Sequence, residues 1–270
     1  MDVSGKTAII TGGASGIGEA LVRAMAAAGA QVVIADLNGD AAQALADEVG
    51  GLGLACNVTQ EADIQAVVAE TEKRFGPVDV FVSNAGLGRG EPSHAASASD
   101  KVWQLNWDVH VMSHVYAARA VLPAMIERGD GYLVNMASAA GLLSQIGDAA
   151  YSATKHAAVS FAESLAIAHG PDGVKVSVIC PQYVATPLIG LSAEDAANTP
   201  ALRTPEQVAQ TVMEGIAEER FLILPHEEVA QFVNMRAMDR ERWLQGMRGL
   251  RAKALREFGE LKLTEFYKLM

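Results

Sequence analysis

Seven short apolar runs recur along the chain, separated by longer stretches with helical periodicity. They lie at residues 7–10, 31–35, 52–55, 79–82, 131–136, 174–179 and 221–224. Most are rich in Val, Ile and Leu without polar alternation, which is typical of strands covered on both faces. Strands that alternate with helices predict right-handed crossovers and a parallel sheet. The sequence therefore predicts one doubly wound α/β domain with a seven-stranded parallel sheet.

Helical periodicity fills the intervals between these runs, and glycine or proline marks most of the helix ends. The helical stretches cover residues 17–28, 40–49, 61–75, 99–128, 151–169 and 205–218. Pro123 falls late in the fourth stretch, and a proline removes a helical hydrogen bond and crowds the preceding turn. We therefore expect that helix to kink or to stop near Pro123.

The first predicted strand leads into a glycine-rich turn and then a helix. The turn reads Thr-Gly-Gly-Ala-Ser-Gly-Ile-Gly over residues 11–18. Gly12, Gly16 and Gly18 allow a tight turn and a close approach of backbone to a pyrophosphate, while the helix N-terminus supplies free N–H groups. The strand–turn–helix context favours a dinucleotide site over a purely structural turn.

The second predicted strand ends at Asp36. A carboxylate there can accept hydrogen bonds from ribose hydroxyls, and it would repel a 2′-phosphate. No Lys or Arg occurs in residues 12–18 or 36–40 to offset that repulsion. The charge pattern therefore favours NAD over NADP, with a helix-capping role for Asp36 as the alternative interpretation.

Tyr151 and Lys155 are four residues apart in a predicted helix, so they share one helix face. A tyrosine with a pKa of ~10 is a poor base at neutral pH. A neighbouring ammonium group stabilises the phenolate and lowers that pKa, so Tyr151 could exchange a proton with an alcohol or a carbonyl oxygen.

Over about residues 5–225 the chain resembles the short-chain dehydrogenases/reductases. The motifs that carry the resemblance are the glycine-rich turn at 11–18, Ser83-Asn84-Ala85-Gly86, Asn106, Ser138 and the pair Tyr151 and Lys155. The resemblance implies a Rossmann fold and a catalytic set of Asn106, Ser138, Tyr151 and Lys155. In that set Ser138 holds the substrate oxygen beside Tyr151. Asn106 helps to hold a water that links Lys155 to solvent.

The resemblance also implies a cofactor site in the loops that follow the strands. Its residues are Gly12, Ser15, Gly16, Ile17, Gly18, Asp36, Asn57, Val58, Asn84, Ala85, Gly86, Tyr151, Lys155, Pro181, Val184 and Thr186. Two positions depart from the family pattern. Asn57 stands where an aspartate usually contacts the adenine amino group, and Gln182 adds a side chain where glycine usually leaves space.

The segments expected to line the substrate pocket are mostly apolar and contain no clear Arg or Lys clamp. The pocket residues are Ala140, Leu142, Gln145, Gln182, Tyr183 and Leu188. We therefore expect a hydrophobic secondary alcohol and its ketone as substrates. Two alternatives are an NADPH-dependent 3-oxoacyl reductase, against which Asp36 argues, and a non-catalytic nucleotide-sensing scaffold, against which Ser138, Tyr151 and Lys155 argue.

Residues 226–270 form a tail beyond the last predicted strand. The tail has two more basic than acidic residues, whereas residues 1–225 have 13 more acidic than basic ones. Apolar residues from Trp243 to Leu261 recur at three- and four-residue steps, which predicts an amphipathic helix. We divide the chain into a dinucleotide-binding and catalytic part, 1–225, and a helical extension, 226–270. The extension packs on its own domain, on a partner subunit, or over the substrate pocket.

The acidic balance of the chain limits its partners. The 32 Asp and Glu residues outnumber 21 Lys and Arg, a formal charge of −11. Nucleic acids and anionic membranes both attract basic proteins, so we expect neither as a partner. With no leader pattern and no apolar run of ~18 residues, we expect a cytoplasmic protein. The resemblance implies a homodimer or homotetramer.

Two further residue pairs are expected to be structural. Cys56 and Cys180 make no Cys-x-x-Cys motif and are expected to be buried free thiols. His110 and His114 have a spacing that could bind a metal, but no Glu follows His110 and no third ligand is evident. We expect a packed or interfacial histidine pair and no metal.

Overall fold

The computed structural model describes residues 1–91, 93–197, 199, 201–261 and 263–269. Its centre is a seven-stranded parallel sheet in the order β3-β2-β1-β4-β5-β6-β7. The strands are β1 (Thr7–Thr11), β2 (Gln31–Asp36), β3 (Leu52–Ala55), β4 (Val80–Ser83), β5 (Gly131–Met136), β6 (Val174–Ile179) and β7 (Leu222–Ile223). The predicted strands and the doubly wound sheet are confirmed.

Ten helices connect or follow these strands in the described residues. They are α1 (Gly16–Ala27), α2 (Gly39–Val49), α3 (Glu61–Phe75), α4 (Asp100–Trp107), α5 (Ser113–Arg128), α6 (Ala149–His169), α7 (Ala193–Ala197), α8 (Pro205–Ala217), α9 (Glu228–Met238) and α10 (Arg240–Phe258). No helix among the described residues is long and apolar enough to cross a membrane.

Successive residues of the central strands point to opposite faces of the sheet, and both faces are buried. In β1, Ile9 packs in the core cluster that includes residues of α3, α5 and α6, whereas Ile10 packs with residues of α1 and α8. The same division separates Phe81 from Val82 in β4. Because each face needs apolar residues, the strands read as continuous apolar runs.

Local capping explains several helix boundaries. The Thr204 hydroxyl accepts from the amide of Gln207, whose side chain accepts from the amide of Thr204, so α8 begins with a reciprocal capping box. Asn38 caps α2 by accepting from the amide of Ala41. That helix ends at Gly50, whose φ of 73° lies in the left-handed region that favours glycine.

The predicted helix 99–128 does not stop at Pro123. α5 runs on to Arg128, and Pro123 lies on its exposed side, where water can bond the carbonyl that lacks a donor. The irregularity is instead a π-helical turn, Asp108–Met112, between α4 and α5. There the Ser113 amide donates to the Asp108 carbonyl, five residues back, and the Ser113 hydroxyl donates to the Val109 carbonyl at 2.6 Å.

The tail contains α9 and α10 rather than a single helix. Asp239 separates them, and its carboxylate caps α10 by accepting from the Arg242 amide at 2.9 Å. The predicted amphipathic pattern falls on α10, which ends before Leu261. Arg236 of α9 ties the tail to the loop after β5 by donating to the Leu142 carbonyl. Within the tail, its guanidinium group stacks over the Trp243 ring of α10 at 5.3 Å.

Candidate active site

The glycine turn after β1 is packed too closely for side chains. A Cβ at Gly12, where φ is 60°, would lie 2.8 Å from the Ala85 Cα, and a Cβ at Gly18 would lie 2.0 Å from the Gly12 carbonyl oxygen. The turn and the segment after β4 therefore meet backbone to backbone. They meet where strand order reverses beside β1, which is where open α/β sheets bind ligands.

The loop after β6 also reaches this turn. A Cβ at Gly16, where φ is 55°, would lie 3.2 Å from the Thr186 methyl group. The Thr186 hydroxyl donates to the Val184 carbonyl at 3.3 Å, and both residues are buried. Ser15 precedes α1 without a side-chain capping bond, and Ile17 is half-buried in its first turn.

Asp36 closes the other side of the turn. Its carboxylate accepts from the Ala14 amide at 3.0 Å and from the Asn38 amide at 3.0 Å. The capping bond to α2 comes from Asn38, so the alternative role of Asp36 as that helix's cap is wrong. Among the described residues, no Lys or Arg forms an ion pair with Asp36.

The residues after β3 and β4 support the same edge of the sheet. The Asn84 amide group donates to the carbonyls of Thr11 and Gly12 at 2.9 and 3.0 Å, which joins β4 to the glycine turn. The Asn57 side-chain oxygen accepts from the Thr59 amide at 3.1 Å and its hydroxyl at 2.9 Å. Val58 beside it is buried.

Lys155 is buried on α6 next to Tyr151. Its Nζ donates to the Met136 carbonyl at 2.9 Å and lies 5.6 Å from the centroid of the Tyr151 ring. Burial of the ammonium group lowers the pKa of Lys155 to about 8. A Cβ at Gly86 would lie 3.8 Å from this Nζ, so the segment after β4 also borders the pair.

Burial raises the pKa of Tyr151 to about 12, and hydrogen bonding by Ser138 opposes that rise. The direction is opposite to the predicted one, because desolvation of the phenolate outweighs its neighbours. Ser138 follows β5 and is buried. Its hydroxyl accepts from the Ala140 amide at 3.1 Å and donates to the Pro181 carbonyl at 3.4 Å.

Asn106 is buried in α4, and its side-chain amide bonds within its own helix. Its Nδ2 donates to the Val102 carbonyl at 2.8 Å within the same helix. Its Oδ1 has no hydrogen-bond partner among the described residues. His110, one turn further along, instead contacts Tyr151.

Asp148 is a site-supporting residue that the sequence analysis missed. It is buried just before α6, and its carboxylate accepts from the amides of Tyr151 at 3.1 Å and of Gly90 at 2.8 Å. Asp148 therefore ties the loop after β4 to the start of the helix that carries Tyr151. An aspartate three residues before the predicted helix 151–169 was an available capping signal, since α6 begins at Ala149.

A cavity of about 1010 Å³ opens beside Ser138. The loops after β5 and β6 form one side with Ser138, Ala139, Ala140, Leu143, Ser144, Gln145, Ile146, Gln182 and Tyr183. The tail forms the other with Phe232, Asn234, Met235, Met238, Asp239, Arg242, Trp243, Gln245, Gly246, Met247, Leu250, Phe266 and Leu269. Predicted pocket residues Leu142 and Leu188 lie outside this lining, and Leu188 is exposed.

His226, at the start of the tail, anchors the loop that carries Gln182. Its Nδ1 accepts from the Gln182 amide at 3.1 Å, and its Nε2 bonds to the Tyr183 carbonyl at 3.0 Å. The Tyr183 hydroxyl and the Gln145 side chain lie 3.4 Å apart.

The sequence predicts the apolar face of the tail. The position of the tail against the loops after β5 and β6 depends on tertiary contacts, which the sequence pattern does not indicate.

A doubly wound sheet with a glycine-rich turn at the point where strand order reverses is typical of oxidoreductases that bind a dinucleotide. The sequence model of the family described as short chain dehydrogenase matches residues 6–197. The chain belongs to the short-chain dehydrogenase family.

Individual relatives agree with this assignment. Oxidoreductase UcpA of Salmonella typhimurium is 34% identical over 250 residues, 90% of this chain and 92% of that protein. D-threitol dehydrogenase of Mycolicibacterium smegmatis is 36% identical over 74% of this chain and 78% of its own length. A short chain dehydrogenase/reductase from Burkholderia phymatum, solved in complex with NAD, superposes with a TM-score of 0.81 at 30% identity, covering 89% of this chain and 96% of its own.

Proposed function

We propose that this protein is an NAD-dependent dehydrogenase that interconverts a bulky hydrophobic secondary alcohol and its ketone. The observation that carries the proposal is the position of Ser138. Its hydroxyl lies near the Tyr151 phenol and also lines the large cavity. A substrate oxygen bound at Ser138 would lie beside the acid/base group while its apolar part occupied the cavity.

The residues after β1 and β2 fit NAD. A Cβ at Gly12 or Gly18 would clash with neighbouring atoms, so the backbone of this turn carries no side chain at these positions. The turn leads directly into the N-terminus of α1, whose free N–H groups can bind phosphate. The Asp36 carboxylate has acceptor capacity for ribose hydroxyls and no cationic partner among the described residues that would favour a 2′-phosphate. Relatives in this family have been solved with NAD and with NADH.

The proton chemistry follows from three side chains. NAD, when bound, supplies the hydride acceptor for alcohol oxidation. Ser138 donates a hydrogen bond to the substrate oxygen. The Tyr151 phenolate takes the proton of the substrate hydroxyl. The Lys155 ammonium, 5.6 Å from the Tyr151 ring, stabilises that phenolate. In ketone reduction Tyr151 returns the proton to the oxygen.

The cavity supports the substrate class. Phe232, Trp243 and several methionines form its tail side, and its volume of about 1010 Å³ is at the upper end of the usual range for small-molecule sites. The charged residues of the described cavity lining, Asp239 and Arg242, are both exposed, so this lining offers no buried cation to hold a carboxylate or phosphate. Lipid-like or polycyclic ketones match this lining better than a polyol does.

The test is a panel of alcohols and ketones assayed by NADH absorbance, with Tyr151→Phe as the variant. We expect turnover of a bulky apolar ketone and its alcohol, and a loss of about 10²–10⁴-fold in kcat in the variant. Tyr116→Phe on α5 is the matched control and should retain wild-type kcat. NAD affinity measured by calorimetry should be similar in all three proteins.

Other outcomes would favour the alternatives. Undiminished turnover by Tyr151→Phe would contradict the acid/base role. Activity confined to a 3-oxoacyl thioester with NADPH would favour the 3-oxoacyl reductase, and activity confined to D-threitol would refute the apolar substrate class. NAD binding without turnover across the panel would favour a nucleotide-sensing scaffold. We further propose a homodimer or homotetramer, which light scattering after size-exclusion chromatography would test.

A further inference from the structure

We propose that His110 is a positioning residue for this reaction, which holds the Tyr151 ring and the start of the loop after β4 in the geometry needed for proton transfer. The proposal rests on the dehydrogenase function proposed above. It concerns a residue that the sequence predicts to belong to a packed or interfacial histidine pair. Its basis is a set of contacts that join His110 to two separate elements of the site, the segment after β4 and α6.

Both ring nitrogens of His110 are used within the protein. The Leu87 amide, just beyond β4, lies 3.1 Å from Nε2. An amide N–H can only donate, so Nε2 must be the unprotonated acceptor. The proton of a neutral ring is then on Nδ1, 3.0 Å from the Thr154 hydroxyl of α6. That hydroxyl donates in turn to the carbonyl of Ala150 or Tyr151.

His110 also contacts the acid/base residue itself. Its ring meets the Tyr151 ring edge to face, with centroids 5.3 Å apart and an interplanar angle of 87°. A Cβ at Gly86 would lie 3.8 Å from both the His110 Nε2 and the Lys155 Nζ. The imidazole therefore lies where the segment after β4 meets the Tyr151–Lys155 pair.

The π-helical turn places His110 in this position. The turn, Asp108–Met112, contains one extra residue, which interrupts the regular hydrogen bonding between α4 and α5. His110 is the central residue of this turn. Such turns cost regular hydrogen bonds and occur frequently at functional sites. Here the Ser113 hydroxyl compensates by donating to the Val109 carbonyl.

The electrostatic surroundings keep this imidazole neutral. The titratable groups around it are Lys155 and Tyr151 of α6 and His114 of α5. Burial and the positive charge of Lys155 both hold the pKa of His110 well below its usual range. A neutral ring preserves the acceptor for the Leu87 amide and adds no charge beside Lys155.

Asn106 makes no comparable contacts with the described residues of the site. Its side chain bonds to Val102 within its own helix, whereas His110, four residues on, contacts Leu87, Thr154 and Tyr151. Both residues are fully buried, so burial does not distinguish them. The contacts assign the positioning role to His110.

The experiment compares His110→Phe, which keeps a ring but removes both nitrogens, with His110→Gln, which keeps a donor and an acceptor. We expect a kcat about 10- to 100-fold lower in His110→Phe with KM and NAD affinity within about twofold, and partial recovery in His110→Gln. His169→Gln, far along α6 and bonded to Asp172, is the matched control and should retain wild-type kinetics.

A double-mutant comparison separates positioning from general stability. If His110 acts through Tyr151, His110→Phe will not lower the residual turnover of Tyr151→Phe. An equal loss in both backgrounds, or wild-type kcat in His110→Phe, would overturn the proposal. Nitrogen-15 histidine spectra of the wild type should contain a signal from a ring that stays neutral and Nδ1-protonated from pH 8 to pH 6, and both His110 variants should lack that signal. A titrating His110 would also overturn the proposal.

Failure of the proposed function gives a different pattern. In that case the wild type shows no NAD-linked turnover with any compound of the panel, and both proposals fall together. If the wild type is active and Tyr151→Phe is not, while His110→Phe keeps wild-type kcat, only the role of His110 is refuted.

Discussion

His114 makes the folded protein sensitive to acid in a way that can be calculated. Its side chain is buried in α5, and neither ring nitrogen has a hydrogen-bond partner among the described residues. Burial, together with the nearby positive charge of Lys155, lowers the pKa of His114 to about 3. An unfolded chain restores the ordinary value of ~6.5. The native state therefore binds fewer protons than the unfolded state at mildly acidic pH.

The sign and size follow from proton linkage. Because the folded-state pKa is depressed, the stabilisation is complete above pH ~6.5 and is lost as the pH falls from ~6.5 towards the folded value. Each pH unit in that window costs about 1.4 kcal/mol, so lowering the pH from 7 to 5 removes about 2 kcal/mol through His114 alone. The unfolding free energy therefore falls as the pH is lowered, whereas a histidine stabilised by a carboxylate in the folded state would make it rise.

The variant His114→Leu isolates this contribution. Leucine fills a similar volume and does not titrate, so the loss of unfolding free energy between pH 7 and pH 5 should be about 2 kcal/mol smaller than in the wild type. Urea denaturation followed by tryptophan fluorescence at several pH values measures both proteins. His169→Leu, which replaces an only half-buried histidine, should follow the wild-type curve more closely. Parallel curves for wild type and His114→Leu would refute the reasoning.

Three further predictions concern the cofactor and substrate sites. Gly18→Ala should abolish NAD binding measured by calorimetry, because its Cβ would lie 2.0 Å from a backbone oxygen, whereas Gly246→Ala has open space and should bind normally. Asp36→Asn removes the carboxylate that repels a 2′-phosphate, so the ratio of NAD to NADP affinity should fall about 10-fold or more; an unchanged ratio would contradict the charge argument. Trp243→Ala should raise KM for a bulky apolar ketone about 10-fold but leave acetone or 2-butanol kinetics similar, because only the large substrate reaches the tail side of the cavity.

The strands were predictable from sequence because both faces of the sheet are covered. Ile9 and Ile10 pack in opposite cores, so neighbouring positions both have to be apolar. The glycine turn was predictable for a related reason, since the close approach of Gly12 to Ala85 leaves no room for side chains. In these segments the surroundings of each residue dictate its type, so the residue types alone indicate the local structure.

The π-helical turn could not be predicted in this way. One extra residue within Asp108–Met112 leaves the helical pattern nearly unchanged, yet this turn carries His110, whose ring contacts Tyr151. The raised pKa of Tyr151 was also missed, because its cause is burial in the folded protein. The cavity wall formed by α9 and α10 depends on contacts such as Arg236 with Leu142, between residues far apart in the chain.

The two walls of the cavity are encoded in different stretches of the chain. Ser138, Gln145 and Tyr183 precede residue 225, whereas Phe232, Trp243 and Met247 lie in the tail. Mutation in the tail can thus alter the lining of the cavity while Ser138, Tyr151 and Lys155 stay in place. A chimaera that exchanges residues 226–270 with those of a relative would therefore change the ligand preference and leave Ser138, Tyr151 and Lys155 unaltered.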